Sequence, residues 1–127
     1  MKDLIKLYIG NTAVLKNSAV FEQRLRLLPP GQQEKISALR TVSSRTLSLG
    51  GLLLLRTALS EIGIQDFAIR QSPFGKPHLE NHSDVFFNIS HSGEYAVCAF
   101  GGCEMGTDIE KIRDVNLRVA KRFFSKS

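Results

Sequence analysis

The hydrophobic period of this chain changes once, near Gly63, and that change dictates its architecture. Residues 43–62 (SSRTLSLGGLLLLRTALSEI) repeat Leu47, Leu52, Leu55, Leu59 and Ile62 at near-helical spacing, and Gly63 follows as a stop signal. A helix so rich in leucine belongs in a core. Its Gly50-Gly51 pair costs about 1 kcal/mol per glycine relative to Ala, so a backbone or a ligand is expected to come close there. Residues 17–28 (NSAVFEQRLRLL) read as an earlier helix ended by Pro29-Pro30-Gly31, and residues 32–41 as a short amphipathic turn or two.

Past Gly63 the apolar runs shorten and turn residues separate them. Residues 66–71 suggest a strand, and SPFGKPHLENHSD reads as a turn-rich loop. Residues 84–90, 94–100 and 104–110 look like successive strands joined through Ser-Gly and Gly-Gly turns. Residues 3–9 (DLIKLYI) suggest a first strand, and residues 115–127 (VNLRVAKRFFSKS) the start of an amphipathic helix with Leu117, Ala120, Phe123 and Phe124 on one face. The order of strand, helices and meander predicts an α+β fold, an antiparallel sheet with helices packed on one side.

Size and composition narrow the function classes only coarsely. The 127 residues make one domain's worth of chain, 43% apolar and 23% charged, as in an ordinary soluble protein. The 17 Lys+Arg against 12 Asp+Glu suit an anionic ligand, an acidic protein or a nucleic acid. LGGLLLL is too short to cross a bilayer, and the N-terminus has no signal-peptide pattern, so the expected location is cytoplasmic. Cys98 and Cys103 have neither zinc-knuckle nor CxxC spacing and read as buried reduced thiols. His78 and His82 stand four apart, but Pro77 and the polar loop argue against a helical metal pair.

Two stretches could carry chemistry. Asp108 and Glu110 share a face of a strand, where two carboxylates raise each other's pKa unless a cation lies between them. Oxygen-only ligands suit Mg²⁺, a metal usually shared with phosphates; on spacing alone, unrelated solvated acids fit equally well. Ser90-His91-Ser92-Gly93 lacks the nucleophile elbow of a serine hydrolase, and adjacent strand residues point to opposite faces. A strand end with hydroxyls, imidazole and a glycine turn suits phosphate binding, or is simply a turn with polar caps. Lys76 stands on a Gly-Lys-Pro turn. Arg45 and Arg56 lie eleven residues apart on one helix face, with Lys35 and Arg40 upstream. Each cation alone reads as a solvated side chain. Together the inventory fits phosphoryl-group transfer by positioning and electrostatics.

FGKP (74–77), FNISHSG (87–93), GTDIEKI (106–112) and AKRFFSK (120–126), in this order and spacing, resemble the Sfp-type 4′-phosphopantetheinyl transferases of the holo-acyl-carrier-protein synthase superfamily. RTLSLGGLLLLR (45–56) is also similar to theirs. The resemblance implies one lobe of a pseudo-twofold fold. It implies transfer of 4′-phosphopantetheine from coenzyme A to a serine of an acyl- or peptidyl-carrier protein, with 3′,5′-ADP as the other product. By resemblance, Asp108 and Glu110 are the catalytic Mg²⁺ ligands. Lys76, Pro77, Ser90 and His91 hold the nucleotide and its phosphates, Arg45 the 3′-phosphate end, and Lys35, with Arg40 as a substitute, further phosphate. Gln32 and Gln33 stand where some members carry Lys or Arg.

The family's enzymes have two similar halves, and the second contains a W-x-x-K-E helix that this sequence does not reach. The expected organisation is an N-terminal lobe over 1–104 and the first strand and helix of a second lobe over 105–127. An incomplete, inactive fragment that keeps most of the coenzyme A side is expected, self-associating through its unpaired second-lobe strand. No nucleic-acid or membrane partner is expected. Two alternatives stay open: a non-catalytic polyanion- or nucleic-acid-binding module, and a metal-assisted phosphodiester hydrolase using Asp108, Glu110 and His91.

Overall fold

The computed structural model describes residues 4–71, 77–82, 84–102 and 116–123. The first strand, β1, runs Leu4–Asn11. A 3-10 turn, Ala13–Lys16, leads to α1, Ser18–Leu25. Asn17 caps α1, its side-chain oxygen accepting from the Ala19 and Val20 amides at 3.0 and 3.2 Å, which stabilises a helix start by about 1 kcal/mol. The next helix, α2, spans Pro30–Ser37 with Pro30 at its first position. The Pro-Pro-Gly run therefore opens a helix as well as closing one: proline's missing N–H costs nothing where helical amides have no partner.

The long helix α3 spans Val42–Glu61, 20 residues, with the Thr41 hydroxyl accepting from the Ser44 amide at its start. It closes as the sequence predicts. Gly63 takes φ +87°, its amide donates to the Ser60 carbonyl, and the Ile64 amide donates to the Leu59 carbonyl. That paired closure needs a left-handed residue, and glycine adopts that conformation without strain.

The helical spacing in α3 identified too narrow a stripe. Leu52, Leu55 and Leu59 are buried, but Ile62 is 52% exposed, and Leu49, Leu53, Leu54 and Ala58 are buried as well. The cause is position: α3 packs on the sheet on one side and on α1 and α2 on the other, so most of its circumference is core.

Behind α3 lies a four-stranded sheet in the order β4-β5-β1-β6, where β4 is Phe86–Ser92, β5 is Tyr95–Gly101 and β6 is Asn116–Phe123. β4 and β5 form an antiparallel hairpin, and β5 pairs antiparallel with β1. Gly93 opens the two-residue hairpin turn at φ +58°, where a side chain would be strained. The architecture is α+β, with helices on one face of a mainly antiparallel sheet. A second, two-stranded sheet pairs β2, Ile69–Gln71, with β3, Pro77–Leu79. The loop expected around Pro77 thus contains a short strand.

Residues 116–123 correct the expected helix over 115–127. They are extended and pair in parallel with β1, Leu7 opposite Val119. Leu117, Val119 and Phe123 also alternate at period two, and the open edge of β1 offers a row of backbone partners that a short helix there would leave unused. The strand expected at 104–110 lies outside the described residues.

Candidate functional site

The site begins where α3 meets β4. A Cβ on Gly51 would collide with Cγ2 of Ile89, so the close approach is made by a strand side chain and not by the backbone or ligand expected there. That contact seats β4 against the helix and forms one wall of a cavity of about 390 Å³. Gln32, Lys35, Ile36 and Leu39 of the α2 segment form a second wall, Ser48 and Leu52 of α3 contribute a third, and Ile69 and Pro77 close it. Phe87, Asn88 and Ile89 complete the β4 side. The lining is mostly apolar with a few polar side chains, the common character of a small-molecule site.

Two of the predicted site residues, Lys35 and Pro77, come together on this cavity although far apart in sequence. Lys35 is exposed at the rim, in no ion pair among the described residues. Arg45 lines a different cavity of about 220 Å³, with Leu15, Lys16, Phe21 and Val42. Its guanidinium donates to the Leu39 carbonyl at 2.7 Å, tying the start of α3 to the end of the α2 segment. Arg40 is exposed and lines neither cavity. Ser90 and His91 are exposed at the end of β4 and do not line the larger cavity. Strand alternation puts His91 on the face of Ile89, toward α3, and Ser90 on the other. The hairpin beyond them is anchored: the amide and hydroxyl of buried Thr12 both donate to the Glu94 carbonyl, at 2.8 and 2.7 Å, and Lys16 pairs with the Glu94 carboxylate at 2.7 Å.

Lys76, Asp108 and Glu110 lie outside the described residues, as does Cys103. Among the described residues no group of three or more His, Cys, Asp or Glu is placed to hold a metal. No described helix is long and apolar enough to cross a membrane. Cys98 is buried on β5, and burial pushes its thiol up to about 12, so it is no nucleophile at neutral pH.

The sequence reading passed over three polar groups of the larger cavity as ligand contacts: Gln32, Ser48 and Asn88. For Gln32 a signal existed. It sits four and seven residues before Ile36 and Leu39, the position of an apolar stripe, yet it is a carboxamide.

Residues 16–101 match the model of the 4′-phosphopantetheinyl transferase N-terminal domain, more than half of the chain. The chain belongs to the 4′-phosphopantetheinyl transferase family. It is 34% identical over 109 residues to the 4′-phosphopantetheinyl transferase Sfp of Bacillus subtilis (strain 168), covering 84% of this chain and 49% of that protein. A second 4′-phosphopantetheinyl transferase of Bacillus subtilis is 42% identical over 84 residues, which is 61% of this chain and 36% of that protein. The 4′-phosphopantetheinyl transferase gsp of Aneurinibacillus migulanus is 35% identical over 81 residues, covering 62% and 33%. The chain spans no more than about half the length of these relatives. In fold it is similar to a holo-(acyl-carrier-protein) synthase from Bacillus anthracis str. Ames, solved in complex with CoA (3′,5′-ADP). The TM-score is 0.57 at 22% identity, covering 76% of this chain and 91% of that one.

Proposed function

We propose that this chain carries the coenzyme A side of a Mg²⁺-dependent 4′-phosphopantetheinyl transferase. The observation that carries the reading is the cavity between α2, α3 and β4, whose mostly apolar lining includes both Lys35 and Pro77. A nucleoside fits such a lining, and an exposed cation beside it fits a phosphate. The solved relative in fold is a CoA complex, which supports the same ligand class.

In the reaction, a serine hydroxyl of an acyl- or peptidyl-carrier protein attacks the pyrophosphate phosphorus that bears the pantetheine arm. A new P–O bond forms, the pyrophosphate P–O bond breaks, 3′,5′-ADP leaves, and the serine proton passes to a base. Lys35, with Lys76, orients the nucleotide end, and Ser90 and His91 hold the phosphates from the strand end; Arg45 lines the second cavity and Arg40 neither. Asp108 and Glu110 supply hard oxygen donors for Mg²⁺, which provides Lewis-acid stabilisation of charge on the phosphates when bound. Residues 1–104 form the first lobe in this reading, and 105–127 begin the second. The wall that completes the metal site comes from chain outside this sequence or from a second copy. The reading carries a cytoplasmic location and no nucleic-acid or membrane partner. The polyanion-module alternative draws less support, because Lys35 and Arg45 line separate cavities and Arg40 lines neither.

The test is a titration of coenzyme A into the chain with and without Mg²⁺. Saturable binding that Mg²⁺ strengthens, and that Asp108→Ala makes insensitive to Mg²⁺, is expected. No saturable binding, together with no effect of Asp108→Ala, would remove the proposal.

A further inference from the structure

We propose that Thr12 is a positioning residue: it clamps the tip of the β4–β5 hairpin and thereby fixes where Ser90 and His91 stand. The inference rests on the coenzyme A reading above and adds a residue that acts at one remove from the ligand. Thr12 is the first residue past β1, and the register sets Asn11 of β1 opposite Tyr95 of β5. The Thr12 amide therefore continues the ladder past the last strand pair, donating to the Glu94 carbonyl at 2.8 Å. Its hydroxyl donates to the same oxygen at 2.7 Å, which uses both lone pairs of that carbonyl. The Thr12 carbonyl accepts from the Leu15 amide at 2.9 Å, so β1, the 3-10 turn and the hairpin tip meet at one residue. That residue is 1% exposed.

The tip projects beyond the core. Residues 90–95 are all exposed. The nearest buried side chains are Phe87 on β4 and Ala96 on β5, and β4 pairs only with β5 among the described strands. A strand end that buries no side chain of its own opens locally at low free energy. The Lys16–Glu94 ion pair spans the same gap, but its side chains are 55% and 52% exposed, and such a pair contributes little. The hydroxyl bond of buried Thr12 is the stronger restraint. One neutral hydrogen bond shifts a local opening equilibrium about fivefold. Glu94 stands three residues after His91 and four after Ser90, so an opening at Glu94 carries both with it. A ligand that needs them in place then binds more weakly in proportion to the fraction of tips still closed.

The experiment combines isothermal titration of coenzyme A into the full chain with amide exchange followed by NMR. Coupling is reciprocal, so saturating coenzyme A should slow exchange of the Thr12 amide in the wild type and leave the Phe21 amide of α1 unchanged. Thr12→Val should weaken coenzyme A by about fivefold, and Thr12→Ser, which keeps the hydroxyl, should restore the wild-type constant. Asn17→Ala removes the α1 cap, a loss of similar size away from the hairpin. It should lower the thermal midpoint without changing affinity, which separates positioning from stability. The ¹³C signal of the His91 imidazole, assigned by its loss in His91→Gln, should move toward its denatured-state position in Thr12→Val and not in Asn17→Ala. If coenzyme A saturates and Thr12→Val binds as tightly as the wild type, the inference falls and the coenzyme A reading stands. The same holds if Thr12→Ser binds as weakly as Thr12→Val. If the wild type does not saturate, both fall. Should Thr12→Val not fold, the wild-type exchange decides: a Thr12 amide that saturating coenzyme A leaves unprotected overturns the inference.

Discussion

Replacing Gly51 by alanine tests the contact on which the cavity is built. Two effects oppose each other. Alanine is preferred to glycine in a helix interior by about 1 kcal/mol. Against that, the new Cβ runs into Cγ2 of Ile89, a β-branched side chain that cannot swing away without moving β4. Overpacking of this kind costs about 1–3 kcal/mol. Gly51→Ala should therefore leave stability unchanged at best and lower it by as much as about 2 kcal/mol. Ile89→Ala removes the obstructing methyl. In that background Gly51→Ala should stabilise by about 1 kcal/mol, giving a coupling of about 1–3 kcal/mol between the two sites. Urea titration followed by far-UV circular dichroism reads this as a midpoint shift on the order of 1 M. The same substitution should also weaken coenzyme A binding, because Leu52 and Ile89 both line the cavity. If Gly51→Ala stabilises the protein equally in the wild-type and the Ile89→Ala backgrounds, Ile89 does not press on α3 and the wall described above is wrong.

Three further outcomes follow from other parts of the molecule. The Cys98 thiol is raised by burial from 9.0 to about 12, so the folded state holds its proton where the unfolded state has lost it. Stability should fall between pH 9 and 12 with a slope of about 1.4 kcal/mol per pH unit from this group alone. Cys98→Ala should remove that slope in denaturant titrations, and iodoacetamide at pH 8 should label Cys98 only on unfolding. Thr12→Val removes the hydroxyl bond to the Glu94 carbonyl and should cost about 1 kcal/mol, with faster amide exchange at the β4–β5 turn. Lys35→Ala should weaken coenzyme A binding by less than about fivefold with unchanged thermal midpoint, whereas a loss of fold would assign Lys35 a structural role.

The parts of the fold that local physics decides were legible. Gly63 closes α3, and the Ser-Gly turn before Tyr95 placed the β4–β5 hairpin. The parts that depend on neighbours were not. VNLRVAKRF carries both a helical and an alternating pattern, and only the open edge of β1 chooses between them. Ile62 fits the helical stripe but lies just past the end of α3 and is exposed, while Leu49, Leu53 and Leu54 are buried because α3 packs on the sheet and on α1 and α2. The same holds for the candidate site. Lys35 and Pro77 were named from sequence. That Gln32, Ser48 and Asn88 line one cavity depends on how α2, α3 and β4 come together, and no local signal encodes that.

The central claim, that this chain presents a coenzyme A-binding face, is tested most directly by isothermal titration of coenzyme A into the 127-residue protein in the presence of Mg²⁺. The account predicts saturable binding at one site per chain, weakened by Lys35→Ala and by Gly51→Ala. A flat titration with correctly folded protein would contradict it.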